Sequence, residues 1–208
     1  MKHIAESTVR RLSRYLRFLE DFEAQGHQTI SSGALAAQGG TTSAQVRKDL
    51  SFFGSFGKRG LGYSVSALST RIREILGLGR TWNVIIVGAG KIGAALAQYR
   101  GFRDRGFHVM SVYDADPARI GRALDGVIIR DQKELESDIA RLKPDIALLA
   151  VPGDVAQPLV DRLVKSGVRA ILNFAPAPLQ VPEHVTLRSV NMALELEILS
   201  YELVNKRT

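Results

Sequence analysis

The chain of 208 residues contains no cysteine. That excludes disulfides, thiolate metal sites and cysteine nucleophiles. Histidine is scarce: the 4 present (His3, His27, His108 and His184) are scattered without ligand spacing, which argues against a metal centre. No run of about 18 apolar residues exists, so no membrane span is expected. The N-terminus passes from Glu6 into arginines and lacks the apolar stretch of a signal peptide, which makes a cytoplasmic protein the simplest reading. What is present is a hydrophobic content of 45%, ample for a core.

Acidic residues are scarce in one region only. Residues 1–80 hold 12 Lys and Arg against 6 Asp and Glu, a net +6, whereas residues 81–208 hold 16 against 15, a net +1. Nearly all of the formal charge of +7 therefore sits in the N-terminal third, as expected of a region that meets a polyanion.

The chain's most informative stretch is Asn83-Val84-Ile85-Ile86-Val87-Gly88-Ala89-Gly90-Lys91-Ile92-Gly93. Four β-branched residues predict a strand covered on both faces. Gly88, Gly90 and Gly93 then follow in the Gly-x-Gly-x-x-Gly spacing that binds dinucleotides. The first permits a sharp turn, the second lets backbone approach a pyrophosphate, and the third lets the next helix pack closely. That helix would offer its N–H groups and positive dipole end to phosphates. Such a triplet is weak alone, but the strand before it and the helix after it supply its context. A second strand, Gly106 to Tyr113, ends at Asp114, 26 residues after Gly88. A carboxylate there accepts ribose hydroxyls and repels a 2′-phosphate, favouring NAD and NADH over their phosphorylated forms. The bland alternative is that Asp114 merely opens the turn Asp114-Ala115-Asp116-Pro117.

In chain order, Ser7 is a plausible cap for a first helix striped by Val9, Leu12, Leu16, Leu19 and Phe22, with Arg10, Arg11, Arg14 and Arg17 on its remaining surface. Ser31-Ser32 can cap a short second helix. Thr42-Ser43-Ala44-Gln45 reads as a capping box for a third, with Val46, Leu50 and Phe53 inward and Ser43, Gln45, Arg47, Lys48 and Ser51 outward. Two short helices joined by Gly39-Gly40 describe a helix-turn-helix. Gly54 to Val65, with four glycines around Lys58-Arg59, fits a β-hairpin wing. A flexible loop is the alternative. Ser66 would cap a fourth helix through Leu76, and a domain boundary is expected near 77–82.

Beyond Asp114, strands and helices alternate. Strands are expected at Val127-Ile129, Asp145-Val151, Ala170-Asn173 and Val185-Val190, and helices at Glu134-Leu142 and Val155-Ser166. This is the pattern of a doubly wound parallel α/β sheet. Pro152, Asn173, Phe174 and Pro176 lie in loops at strand C-termini, where the nicotinamide half of a dinucleotide belongs. The tail from Ala193 to Lys206 is helical by propensity and apolar around more than half its girth, so something must cover it: its own domain or a second subunit. Paired half-sites favour the second.

The combination resembles the Rex family of redox-sensing transcriptional repressors. The likeness is carried by Tyr15-Leu16-Arg17, Ser43-Ala44-Gln45-Val46-Arg47-Lys48-Asp49-Leu50-Ser51, Phe53 to Tyr63, the Gly88 to Gly93 turn, and Leu172-Asn173-Phe174-Ala175-Pro176. The resemblance implies a winged-helix domain (1–79), a Rossmann NAD(H)-binding domain (80–190) and a domain-swapped C-terminal helix (191–208) that holds a homodimer. It implies operator binding when the NADH/NAD ratio is low and release when NADH binds. Where some members begin the last helix with Asp-Phe, this chain has Asn191-Met192, which lacks the full charge for contacts across a dimer.

The expected DNA-binding set is Arg10 and Arg11 on phosphates, Ser43, Gln45, Arg47, Lys48 and Ser51 on the recognition helix, and Lys58 and Arg59 in the minor groove. The cofactor set is Gly88, Ala89, Gly90, Lys91, Ile92, Gly93, Asp114, Pro152, Asn173, Phe174 and Pro176. The competing function is an NAD-dependent oxidoreductase. It would need a substrate domain and a proton donor near the nicotinamide, yet only one helix follows residue 190, and no histidine adjoins the strand-end loops apart from His108, within a strand. A non-enzymatic sensor is the expected reading.

Overall fold

The computed structural model describes residues 4–54, 56–57 and 61–205. The chain divides into two compact units, Met1–Arg80 and Thr81–Thr208.

The N-terminal unit is built on helix α1 (Glu6–Ala24), which sets the Leu12, Tyr15, Leu16 and Leu19 stripe into the core. Each of those leucines is fully buried, which is worth about 1.5–3 kcal/mol. Ser7 does not cap α1; the helix starts at Glu6, two residues earlier than that cap implies, and Ala5 holds the cap position without a side-chain bond. Strand β1 (Thr29–Ile30) leads to α2 (Ser32–Gly39), where Ser31 Oγ accepts the Ala34 N–H at 3.1 Å. Gly40, at φ +59°, makes the left-handed turn into α3 (Ser43–Ser51). The helix-turn-helix is thus present as the glycine pair predicted.

The tip of the expected hairpin wing, Lys58-Arg59, lies outside the described residues, and the segment's C-terminal end forms a strand. Strand β2 (Tyr63–Ser64) pairs antiparallel with β1, placing Ile30 opposite Tyr63. Strand β1 thus precedes the glycine-rich segment and pairs with its C-terminal end. The reason is packing: Ile30 and Tyr63 are both buried in the helical core. Gly62 makes the approach possible, since a Cβ there would lie 2.5 Å from the Ile30 carbonyl oxygen. Helix α4 (Val65–Ile75) closes the unit, capped by Ser64 rather than Ser66, with Ser64 Oγ accepting the Ala67 N–H at 3.4 Å.

The second unit is a seven-stranded sheet. Its strands are β3 (Trp82–Val87), β4 (Phe107–Asp114), β5 (Ala123–Leu124), β6 (Val127–Asp131), β7 (Ile146–Leu149), β8 (Ala170–Asn173) and β9 (Thr186–Ser189), in spatial order β5-β6-β4-β3-β7-β8-β9. All neighbours are parallel except the short β5, which turns back on β6. Connections run outward on one side of β3 and then return to its other side at β7. The switch point therefore lies between the C-terminal ends of β3 and β7, where open α/β sheets bind ligands.

Val84–Val87 are buried on both faces, as the β-branched run predicts. Helices α6 (Leu135–Leu142) and α7 (Gly153–Lys165) cover one face, with Leu135, Ile139, Leu159, Val160 and Leu163 against Ile85, Val87, Leu149 and Ile171. The other face packs on α5 (Lys91–Ala97) and a 3₁₀ turn (Arg100–Arg105) through Ala97 and Phe102. Helix α8 (Met192–Asn205) ends the described chain and has no buried residue. Among the described residues no helix is long and apolar enough to cross a membrane.

Candidate nucleic-acid and dinucleotide sites

In the N-terminal unit, the capping sequence forms its first half: Thr42 Oγ1 accepts the Gln45 N–H at 3.1 Å. The reciprocal half is absent, because the Gln45 amide instead donates to Asp49 Oδ1 at 2.8 Å. Asp49 is fully buried. Arg11 clamps it through Nε at 2.6 Å and Nη2 at 2.7 Å, and the Tyr15 hydroxyl donates at 3.0 Å. Burial alone would raise the Asp49 carboxyl, but the bonds from Arg11, Gln45 and Tyr15 outweigh it and hold it below the usual range. Burial and the adjacent carboxylate push the Tyr15 hydroxyl up to about 12.

This cluster changes two sequence expectations. Arg11, expected on a phosphate, is engaged in a two-bond clamp joining α1 to α3, with its side chain 24% exposed. Gln45, expected at a base edge, is half-buried and braces Asp49 from within the same helix. The sequence shows Asp49 only as one acid in a basic helix. Its signal is its position three residues after inward-facing Val46, which turns it into the core.

The solvent face of α3 carries Ala44, Arg47, Lys48 and Ser51, at helical spacings of three and four. Arg47 Nη1 donates to Ser32 Oγ at 3.1 Å, which leans it toward α2, and Ser51 Oγ donates back to the Lys48 carbonyl at 2.7 Å. Ser43 is half-buried in the first turn. Arg10 is exposed beside Glu6, an i,i+4 pair of the weak surface kind. Lys58 and Arg59 lie outside the described residues. Nearby, a Cβ on Gly57 would stand 2.4 Å from the Gly62 carbonyl oxygen, so the two ends of that segment lie together.

In the second unit the glycines behave as the spacing predicts. Gly88 has φ +99°, and a Cβ there would meet the Ala150 oxygen at 2.3 Å. A Cβ on Gly93 would be 1.8 Å from the Gly88 oxygen, so α5 packs on the turn through a position that only glycine fits. Gly90 faces open space, with Arg119 Nη1 the nearest atom at 4.0 Å from its virtual Cβ. That is the room a pyrophosphate requires. Lys91 and Ile92 sit exposed at the start of α5.

Asp114, 7% exposed at the end of β4, is not part of a solvated turn alone. Its Oδ2 accepts the Ala89 N–H at 2.6 Å, tying the second strand to the glycine turn, and its Oδ1 accepts the Asp116 N–H at 2.8 Å. Arg119 Nη1 also donates to Oδ2, at 3.1 Å. Burial raises the Asp114 carboxyl, yet the backbone donors of Asp116 and Ala89 and the Arg119 guanidinium together hold it below its ordinary value.

The loops at the other strand ends converge. Phe174 N–H donates to the Leu149 carbonyl at 2.8 Å, and Gly153 lies against the Pro176 carbonyl. Pro152 is exposed at the N-cap of α7, Phe174 is half-buried and Pro176 is exposed. Asn173 differs from expectation. It is fully buried, with Nδ2 donating to Ala175 O and Ser189 Oγ and with Oδ1 accepting the Ala175 N–H. Its amide shapes the loop and fastens β8 to β9, leaving little to offer a ligand. Tyr99, after α5, is 58% exposed and rests edge-on against Phe102 at 5.1 Å. Among the described residues no group of His, Asp or Glu is placed to hold a metal ion.

Comparison with known proteins bears on both sites. Residues 3–51 match a family described as "Putative DNA-binding protein N-terminus", and residues 79–177 match "CoA binding domain". The chain is 45% identical over 205 residues to the redox-sensing transcriptional repressor Rex of Pelotomaculum thermopropionicum, covering 99% of this chain and 96% of that one. It is 48% identical over 200 residues to the Rex repressor of Syntrophomonas wolfei, covering 96% and 95%. Among solved structures it is similar to RSP in complex with β-NAD⁺ and operator DNA, with a TM-score of 0.94, 40% identity, and coverage of 100% of this chain and 95% of that one. RSP in complex with β-NADH gives a TM-score of 0.91 at 38% identity, covering 100% and 97%.

Proposed function

The chain belongs to the Rex family of redox-sensing transcriptional repressors, and from that premise we propose how its parts divide the work. It is a repressor and not an oxidoreductase: it occupies operator DNA while NADH is scarce relative to NAD and leaves it when NADH binds the Rossmann unit. Its place is the cytoplasm, where DNA and the nicotinamide pool meet. The observation that carries this reading is the presence on one chain of a capped basic helix and a glycine turn at the switch point of a parallel sheet.

On the DNA side, Arg47, Lys48 and Ser51, with Ser43 in the first turn, form the surface that enters the major groove. Arg10 adds a phosphate contact, and Lys58 and Arg59 reach the neighbouring minor groove. Arg11, Gln45 and Asp49 set the angle of α3 on α1 and so position the readers.

On the cofactor side, Gly88, Ala89, Gly90, Lys91, Ile92 and Gly93 hold the pyrophosphate against backbone, and Asp114 receives the adenosine ribose. Pro152, Phe174 and Pro176 border the nicotinamide half, where Asn173 keeps the loop in shape. When bound, the cofactor brings either a cationic or a neutral ring to that end. A largely apolar surround favours the neutral ring, because desolvating a charge is costly.

The repressor acts as a homodimer joined through α8. Leu194, Leu196, Ile198, Leu199 and Leu203 are all exposed on this helix, an arrangement too apolar to leave in water. The β3–β7–β8 face of the sheet carries a groove of about 370 Å³ lined by Val84, Phe102, Phe107, Ile146, Leu148 and Leu172. An apolar helix of a second copy fits that chemistry. Asn191 Oδ1 accepts the Ala193 and Leu194 N–H groups at 3.0 and 3.3 Å, so at the departure from Asp-Phe the side chain still caps the helix. Titrating an operator duplex with protein plus NAD⁺ and then plus NADH tests the reading. Retention with NAD⁺ and release with NADH are expected, and equal retention with both would contradict it.

A further inference from the structure

We propose that Arg119 gives the adenosine end of the cofactor site a latent receptor for a 2′-phosphate, kept silent by Asp114. The inference rests on the dinucleotide reading above and concerns what sets selectivity at that end.

The first argument is an acceptor count on Asp114. A carboxylate has about four lone-pair positions. Ala89 N–H and Arg119 Nη1 occupy two on Oδ2, and Asp116 N–H occupies one on Oδ1. A ribose diol donates two hydrogen bonds. Asp114 accepts both only if Arg119 lets go, since the two backbone donors are fixed by the turn.

The second argument is that Arg119 is placed rather than merely nearby. Its Nε lies 3.4 Å from Asp116 Oδ2, and Asp116 Oδ1 accepts the Ala118 N–H at 2.9 Å. The Arg119 N–H closes the same turn onto the Asp116 carbonyl at 2.9 Å. Asp116 thus holds the guanidinium by one nitrogen while Nη1 points at Asp114 and at the space beside Gly90. That space lies between the glycine turn and the acid, on the path from pyrophosphate to adenosine ribose.

The two residues then carry opposite selectivities. The Asp114 carboxylate repels a 2′-phosphate and also neutralises the cation that would attract one. Without that carboxylate, the planar guanidinium is left to offer paired N–H donors to phosphate oxygens, the geometry in which arginine exceeds lysine. An arginine near the ribose is also how this fold class accommodates a 2′-phosphate.

The test uses the full chain with Asp114→Ser and Asp114→Asn, the second retaining an oxygen for the Ala89 N–H. Each is made with Arg119 intact and with Arg119→Ala. Binding of NADH and NADPH is followed by nicotinamide fluorescence, with circular dichroism reporting folding. Both single variants should lose NADH affinity and gain NADPH affinity by about tenfold or more, the size of one charge-assisted contact, and Arg119→Ala should erase the NADPH gain. A fall in NADH affinity with no gain for NADPH would overturn the proposal, as would a gain that survives Arg119→Ala. Unchanged NADH affinity in both variants would instead remove Asp114 from the cofactor site, taking this inference with it.

Discussion

Replacing Asp49 with alanine should destabilise the N-terminal unit more than any change on the DNA-facing surface. The carboxylate is fully buried and receives four donors between 2.6 and 3.0 Å: two from Arg11 and one each from Gln45 and Tyr15. Removing one member of a buried pair leaves the other charge uncompensated, at a cost of about 3–5 kcal/mol. Arg11 keeps some solvent access and can partly rehydrate, which favours the lower end, about 3 kcal/mol. For a unit of some 80 residues each kcal/mol moves the thermal midpoint by about 4–8 °C, so a drop of about 12 °C or more is expected. Differential scanning calorimetry of the full chain measures it. The pH dependence follows from the lowered carboxyl. Its native value lies below its unfolded value, so its contribution is complete above the unfolded value. It is lost as pH falls through the native value. The variant's stability should therefore decline less than the parent's below about pH 4. A midpoint shift under about 4 °C, roughly 1 kcal/mol, would refute the claim that the clamp holds α3 on α1.

Other parts of the molecule give sharper functional readouts. Gly93→Ala places a methyl group where only 1.8 Å separates it from the Gly88 oxygen, so α5 must back away from the turn; calorimetric titration should show NADH binding weakened by at least about a hundredfold. Lys58→Ala combined with Arg59→Ala should flatten the log–log salt dependence of operator binding by about one unit per lost phosphate contact, and an unchanged slope would place that segment off the duplex. Leu196→Glu with Leu199→Glu on α8 should shift analytical ultracentrifugation from dimer to monomer, whereas a variant dimer of parental affinity would assign the helix another role.

The sequence and the structure agree most where one residue pattern has one physical solution. Val84 to Val87 with Gly88, Gly90 and Gly93 leaves the backbone a single way to run from buried strand to helix, and that is the path observed. The Thr42 cap and the Gly40 turn are similarly local. What the sequence concealed depends on tertiary partners. Arg11 and Asp49 are 38 residues apart, so nothing local distinguishes this arginine from Arg10 or Arg14. Asn173 looks like a loop amide facing a ligand until Ser189, 16 residues later, receives one of its donors. Strand β2 pairs with β1 across the whole helix-turn-helix because Ile30 and Tyr63 share a core that short-range alternation does not reveal. Arg119 is readable in retrospect, five residues after Asp114 in a tight Asp-x-Asp-Pro turn, but its direction comes only from the closed turn.

A ligand shifts a protein between states only by its differential affinity for them, and the coupling is reciprocal. The redox switch therefore makes a demand on the cofactor as well as on the DNA: the operator must weaken NADH binding by the same factor by which NADH weakens operator binding. Measuring NADH affinity by fluorescence, with and without a saturating operator duplex at fixed salt, tests this most directly. The account predicts weaker NADH binding in the presence of operator and little change for NAD⁺. Equal NADH affinities in the two conditions would contradict the switch, however tightly both ligands bind.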